Sequence, residues 1–347
     1  MNQEDCFLDN CPPFEDRSVD RIKLSEGSGG QEMHRLIHWI QKMLPPSTNW
    51  NNTQDDAATI PFPSTHNESE NNHLVFTTDS YVVTPLFFPG GNIGTLAFCG
   101  TINDLVVMGA EPLGISLGMI LEEGLPRTHL ESVIQTIGAL SQKYHVPIVT
   151  GDTKVMERKS IDKMVLNTSG VGHAARVLNT PLRVGDDIIV SGSIGEHGAA
   201  LLAKRFDIDS SLETDSQPLL DEMRAVRQNI KQARDITRGG LVGVLHELAR
   251  KNNIGMQLSE EQIPIRREVQ HLTELLGIDP LSLACEGRMV CACSPDNTPA
   301  VVSALKKFND SANVIGRVTQ KEGLFLQTSF GNKIIPEPSG VLTPRIC

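Results

Sequence analysis

Aromatic side chains are scarce, 4% of 347 residues, and acids outnumber bases by 42 to 31. The first shortage disfavours a platform on which nucleobases stack. The second, a net charge of −11, disfavours nucleic acid and anionic membranes, whose binders need a basic face that releases counterions. No stretch reaches the roughly 20 apolar residues of a membrane span; the most apolar one, residues 94–121, is broken by Asp104 and Glu111. Residues 1–10 are acidic and have no apolar centre, unlike a secretory signal, so a cytoplasmic location is expected. The cysteines, at 6, 11, 99, 285, 291, 293 and 347, include no CxxC pair. That argues against a zinc ribbon or an iron–sulfur site, and in a reducing compartment they are expected as free thiols. A GxxxxGK segment ending in Ser or Thr is missing, which excludes a P-loop. The glycine segment at Gly27–Gly30 follows no good strand, so a dinucleotide-binding fold fails as well.

What remains is ample for two packed domains: 39% apolar and 21% charged residues in 347. Residues 1–23 read as a loose arm. A glycine turn (LSEGSGG, 24–30) precedes a helix from Gln31 to Met43 that Pro45 and Pro46 stop. Strands are expected at Leu74–Thr77, Pro147–Thr150 and Met164–Val171, with Gly151–Lys154 forming a turn. Helices are expected at Gly94–Met108 and from Thr128, where Thr128 and Glu131 match a capping box before the stripe Leu130, Val133, Ile134, Ile137, Leu140. Punctuation changes at 174–185, the expected domain boundary. Beyond it come a strand at 187–191, helices reaching Phe206, from Pro218 to Ala233, from Gly240 to Lys251 and from Thr298 to Phe308, and strands near 288–293 and 324–328. The elements mix without a regular βαβ rhythm, so the class is α+β.

Acids beside glycines recur: Asp55, Asp56, Asp79, Asp104, Asp152 and Asp235. Such residues cap turns and helices; gathered together, they are the oxygen donors that Mg²⁺ takes when it bridges a protein to phosphates. Gly27, Gly29 and Gly30, entering a helix, offer backbone N–H groups to phosphate oxygens. Lys154 (in GDTK) and Arg238 (in TRGG) stand in this acidic company as phosphate contacts or proton donors, or simply as solvated cations. Glu286, in CEGR, is a turn acid or a base. His34 and His38 lie one helical turn apart and fit an amphipathic surface better than a two-ligand metal site. From Pro336 the last 12 residues hold three prolines and a glycine; extended, they would span up to roughly 40 Å, with Cys347 at the tip.

The stretch NDLVVMGAEP (103–112) resembles the ATP-binding superfamily of aminoimidazole ribonucleotide synthetase. The longer segment from Thr77 to Gly118, with GDTKV, DITRGGLV and the closing Pro344-Arg345-Ile346-Cys347, resembles within it the HypE family of hydrogenase maturation factors. The likeness runs from about Ile22 to Cys347, leaving out the first 20 or so residues and the 64–73 insert.

The resemblance implies a two-domain fold: an ATP-binding and dimerisation domain at 24–175, an α+β domain at 176–333 and a mobile tail at 334–347. It implies an enzyme that uses ATP to dehydrate a carbamoyl group on Cys347 to a thiocyanate, the cyanide source for the iron of nickel–iron hydrogenase. The implied partners are a second copy, the carbamoyltransferase HypF and the HypC–HypD iron-scaffold complex. By position, Asp55, Asp56, Asp79, Asp104, Asp152 and Asp235 would bind Mg²⁺. Gly27, Gly29, Gly30, Asn103, Thr153, Thr237, Arg238 and Gly239 would bind ATP, and Lys154 and Glu286 would handle protons. Rival readings are the superfamily's purine and thiamine enzymes, which have no use for a terminal thiol, and a non-catalytic carrier of Cys347. Selenophosphate synthesis would need a reactive cysteine in a glycine loop, a context that Cys6 and Cys11 lack.

Overall fold

The structure, a computed structural model, describes residues 22–45, 49–62 and 72–339. The expected arm (Cys6 and Cys11 included), most of the 64–73 insert and residues 340–347 with Cys347 lie outside them. Two sheets carry the chain. The first is built from β1 (Ala58–Pro61), β2 (His73–Tyr81), β5 (Glu111–Glu122), β6 (Ile148–Met156) and β7 (Met164–Ala174), in the order β1-β2-β7-β5-β6. Only β5 and β6 run parallel. A two-stranded ribbon, β3 (Phe87–Phe88) and β4 (Gly91–Asn92), leads into α2 (Ile93–Val107). Helix α1 (Gln31–Met43) precedes this sheet, and α3 (Arg127–Tyr144) joins β5 to β6.

The second half holds β8 (Asp187–Val190), α4 (Glu196–Arg205), α5 (Leu220–Val226), β9 (Gln232–Asp235), α6 (Gly240–Asn252), β10 (Gly255–Ser259) and α7 (Arg267–Leu276). Then come β11 (Met289–Cys293), α8 (Thr298–Leu305), β12 (Asn313–Thr319), β13 (Gly323–Thr328) and β14 (Gly331–Ile335). Its sheet runs β14-β13-β10-β12-β8-β11-β9, antiparallel but for β10 and β13. Both sheets are mixed rather than doubly wound, as the α+β reading expects.

Helix α2 is the spine. Its sequence is apolar on all sides, which marks a helix with no solvent face; every residue is buried but Asp104, which is half-buried with its carboxylate turned inward to Thr77. It packs on β2 and β7 below, α3 beside it, and β9 and α5 of the second half. Asn92 caps it, accepting from Gly94 N at 2.8 Å, while Thr95 Oγ1 accepts from Asn92 N at 3.2 Å. One apolar cluster therefore crosses the seam, from Ile102 and Val106 of α2 to Leu219, Leu220 and Met223. At its rim Glu111 pairs with Arg224 (2.8 Å) and Arg227 (2.7 Å).

Three local expectations need correction. Gly151–Lys154 is no turn: these residues continue β6 along the edge of the sheet. The helix expected over 218–233 ends at Val226, and Ala233 lies in β9. Thr128 and Glu131 form no capping box, because α3 begins at Arg127 after Pro126, without a side-chain cap. Of the cysteines, Cys99, Cys285, Cys291 and Cys293 are free and buried. No helix among the described residues is long and apolar enough to cross a membrane.

Ile102 is fully buried on the spine, so Ile102→Ala should destabilise the fold by about 2–5 kcal/mol, through lost burial and the cavity left behind. A urea or thermal midpoint close to that of the wild type would show that the helix is not the shared core described here.

Candidate functional site

Alternation along β2 puts Thr77, Asp79 and Tyr81 on its inward face, towards α2. There Thr77 Oγ1 donates to Asp104 Oδ2 at 2.6 Å, and Tyr81 Oη donates to Asp79 Oδ2 at 3.1 Å. Gly100 of α2 makes room for the ring, since a methyl group at that position would collide with Tyr81 Oη. Asp235 ends β9, and Asp56 stands just before β1. Four carboxylates thus converge on the seam between the halves.

Their environment disfavours charge. Burial raises Asp104 well above the ordinary carboxylate range, with Asp79, Asp235 and Asp56 adding repulsion. Asp235 is raised well above that range by burial, then by Asp56, Glu286 and Asp79. Burial also raises Asp79, against the pull of Arg238. Asp56 is pushed up to about 6 by burial, against the pull of Arg234. Its Oδ2 is buried and has no hydrogen-bond partner.

A cation on one side holds part of this charge. Arg234, buried on β9, donates to Asp55 Oδ1 and Asp56 Oδ1, both at 2.7 Å, and lies 3.3 Å from Glu247 Oε2. Lys251 Nζ reaches Asp55 Oδ2 at 2.5 Å. His34 of α1 joins the network through Glu247 (3.3 Å) and Glu337 (3.2 Å). This arrangement lines a cavity of about 930 Å³ between α1 and α6.

The two glycine segments meet beside the acids. Gly29, at φ +85°, rests on the backbone of Arg238 and Gly239, where a Cβ would stand 3.0 Å from Gly239 N; only glycine permits both the conformation and the approach. Thr237 and an exposed Arg238 lead from Asp235 into α6, and Gly27 stays open.

The structure therefore brings together Asp56, Asp79, Asp104 and Asp235, with Glu286 within electrostatic reach and Gly27, Gly29, Gly30, Thr237, Arg238 and Gly239 alongside. Other candidates are placed differently. Asp55 is spent on Arg234 and Lys251. Asp152, Thr153 and Lys154 lie exposed on β6, three strands from Asp79 and so roughly 14 Å away at the usual strand spacing. Asn103 points at the second half and binds only backbone. The six-acid cage is corrected accordingly: among the described residues, no three His, Cys, Asp or Glu side chains stand close enough together to hold a metal ion. Sequence reasoning missed Arg234, Thr77 and Tyr81. Arg234 was passed over because the expected helix ran up to Ala233 and left no strand to carry it. Thr77 and Tyr81 could have been found from the i, i+2, i+4 spacing around Asp79.

Such a mixed α/β pair of domains with acids at the seam belongs to a class that comparison identifies. Residues 54–174 match the N-terminal domain of AIR synthase related proteins and residues 183–329 match the C-terminal domain. Within that class, this chain belongs to the HypE family of carbamoyl dehydratases. It is 41% identical over 342 residues to carbamoyl dehydratase HypE of Rhizobium leguminosarum bv. viciae, spanning 94% of this chain and 95% of that one. It is similar to a solved HypE–HypF complex (TM-score 0.79, 32% identity, 87% of this chain and 99% of that chain). It is also similar to a hydrogenase maturation protein HypE solved with ATP (TM-score 0.76, 34% identity, 92% and 98%).

The crowding has a measurable sign. Asp104 has a raised pKa when folded, so its burial weakens the fold as pH climbs from about 4 through that raised value. With divalent cations chelated, Asp104→Asn should be more stable than wild type at pH 7.5 by about 1–3 kcal/mol. The gap should close as pH falls towards 4. A gap independent of pH, read from calorimetric midpoints, would contradict the buried charge.

Proposed function

We propose that this chain is an ATP-dependent carbamoyl dehydratase that acts on an S-carbamoyl group carried by its own Cys347. The observation that carries the reading is the full-length likeness to HypE, with carboxylates and glycine segments meeting where the halves join. An amide oxygen leaves poorly. ATP supplies the remedy: the carboxamide oxygen takes the γ-phosphoryl group and ADP departs. The nitrogen then gives up its protons as the C–O bond breaks, phosphate leaves and S–C≡N forms. The phosphoryl step needs positioning and charge neutralisation more than covalent help; the backbone N–H groups around Gly29 and Gly239 and the guanidinium of Arg238 suit it. The deprotonation needs a base within hydrogen-bond reach of the nitrogen. Glu286, buried beside Asp235, is placed for that better than Lys154 on its distant edge.

Mg²⁺ fits the donors that are present. Asp56 keeps a buried oxygen without a partner, and Asp104 is raised by burial and by three neighbouring acids, Asp79, Asp235 and Asp56. The spread of these acids suits an ion that usually takes only one or two carboxylates and keeps waters and phosphate oxygens as its other ligands. When bound, Mg²⁺ would offset the charge of the triphosphate; one or two of Asp56, Asp79, Asp104 and Asp235 would hold it, with waters and phosphate oxygens as its other ligands.

The partners in this reading are HypF, which loads the carbamoyl group, and the HypC–HypD complex, which receives cyanide on iron. A second copy of the chain is proposed on the first sheet. Phe76 and Thr78 lie exposed on the face away from α2, and along β6 Val149 and Val155 are each 64% exposed. An apolar edge strand is a pairing surface unless something covers it. Asp152, Thr153 and Lys154 lie on that same strand, so the metal, nucleotide and proton roles expected of them would be played across the subunit boundary. Val149→Lys should shift the sedimentation of the protein from dimer to monomer, and a monomeric wild type would remove this part of the reading.

The deciding measurement is the mass of the 334–347 tail peptide after loading with HypF and carbamoyl phosphate. On adding ATP it should fall by one water. An unchanged mass would leave a passive carrier and refute the dehydratase. Cys347→Ala should bind ATP with wild-type affinity yet show neither loading nor mass loss.

A further inference from the structure

Glu286 has its backbone held from two directions. From the first half, Asn103 Nδ2 donates to Glu286 O at 3.2 Å and to Gln217 O at 3.3 Å, while Asn103 Oδ1 accepts from Leu219 N at 2.8 Å. Asn103 is 1% exposed, and these three bonds take up both its amide donors and its carbonyl oxygen, leaving no donor for a nucleotide. From its own half, Asp215 Oδ1 accepts from Glu286 N at 2.8 Å. The Asp215 side chain has no solvent exposure, its Oδ2 has no hydrogen-bond partner, and the nearest cation, Arg288 Nε, is 3.9 Å away. A buried carboxylate is costly, yet this one is retained against a peptide N–H, the Cys285 thiol and the more distant Arg288. Arg288 closes the turn by donating to Gly287 O at 2.8 Å and Glu196 Oε2 at 3.0 Å. A methyl group on Gly287 would collide with Asp215 O, so the turn has no slack.

We propose that Asn103 and Asp215 clamp the backbone of Glu286 and act as positioning residues for the dehydration. The inference rests on the reading of Glu286 as the group that takes the carboxamide protons. Its physical content is tolerance: a base displaced by about 1 Å can lose roughly 100-fold in rate. Asn103 also adjoins Asp104 on α2, so a single helical turn carries one acid of the cluster and one hold on the proton acceptor.

The test measures kcat and the ATP KM on the full-length carbamoylated chain. Asn103→Asp keeps the side-chain shape but turns a carboxylate oxygen towards two carbonyl oxygens. It should lower kcat by about 10- to 100-fold with the ATP KM within about twofold of wild type. Placed on Glu286→Gln, it should cause no further loss. Asp215→Ala should match Asn103→Asp, whereas Asp215→Asn, which keeps an acceptor for Glu286 N, should recover at least about tenfold of the lost kcat. This second pair decides the matter if Asn103→Asp does not fold. A raised ATP KM with wild-type kcat in Asn103→Asp, or equal losses in the two Asp215 variants, would overturn the clamp. A Glu286→Gln chain with wild-type kcat refutes the proton role and takes the clamp with it. An impaired Glu286→Gln whose loss multiplies with that of Asn103→Asp refutes the clamp alone.

Discussion

Like charges crowd at the junction of the two halves, and much of the structure answers that crowding. Asp56, Asp79, Asp104 and Asp235 come from a loop, a strand, a helix and the end of a second strand, so no single element can relax away from the others. Each is raised by burial, and the protein tolerates the penalty because an extensive apolar core surrounds it. Arg234 meets part of the charge from behind, and its two 2.7 Å contacts also tie the second sheet to the loop that enters the first. Removing one partner from a buried network of this kind typically costs about 3–5 kcal/mol. Stability has been spent on this cluster, a common trade at functional sites.

The geometry of α2 makes that trade workable. A helix wrapped in apolar contacts on every side cannot rotate or slide without repacking its neighbours. Its two successive polar residues therefore face opposite partners with little freedom: Asp104 meets the strand that carries Thr77, and Asn103 meets the second half of the chain. The covalent link between two adjacent residues sets the relation between Asp104 of the acid cluster and the hold on the proposed base.

Much of this was readable beforehand. The α+β class follows from the mixed order of elements, and α2, α4 and α6 announce themselves by apolar content or glycine punctuation. The family resemblance grouped Asp55, Asp56, Asp79, Asp104, Asp152 and Asp235, and four of these meet at the seam while Asp55 pairs with Arg234 and Asp152 lies out on β6. The failures have physical causes. GDTK looks like a turn because Gly and Asp favour turns, yet an exposed edge strand tolerates the same residues. The four-residue β9 shows no alternation, because all four of its residues are buried, so helix-like spacing from Leu219 onward swallowed it. Asn103 was grouped with the nucleotide ligands by its place in the motif. Its hydrogen bonds reach residues more than 110 positions away, and spacing along the chain carries no signal for such contacts.

The buried cysteines carry a further meaning for a reaction that must load one thiol among seven. Carbamoyl transfer to sulfur needs a thiolate that the donor enzyme can touch. Cys99, Cys285, Cys291 and Cys293 are enclosed, and burial holds each of them towards the neutral thiol. The fold thereby supplies chemoselectivity by protection, much as a synthetic chemist masks every competing nucleophile before acylating one. The packing that stabilises the second sheet also narrows the competition to sulfur atoms outside the core.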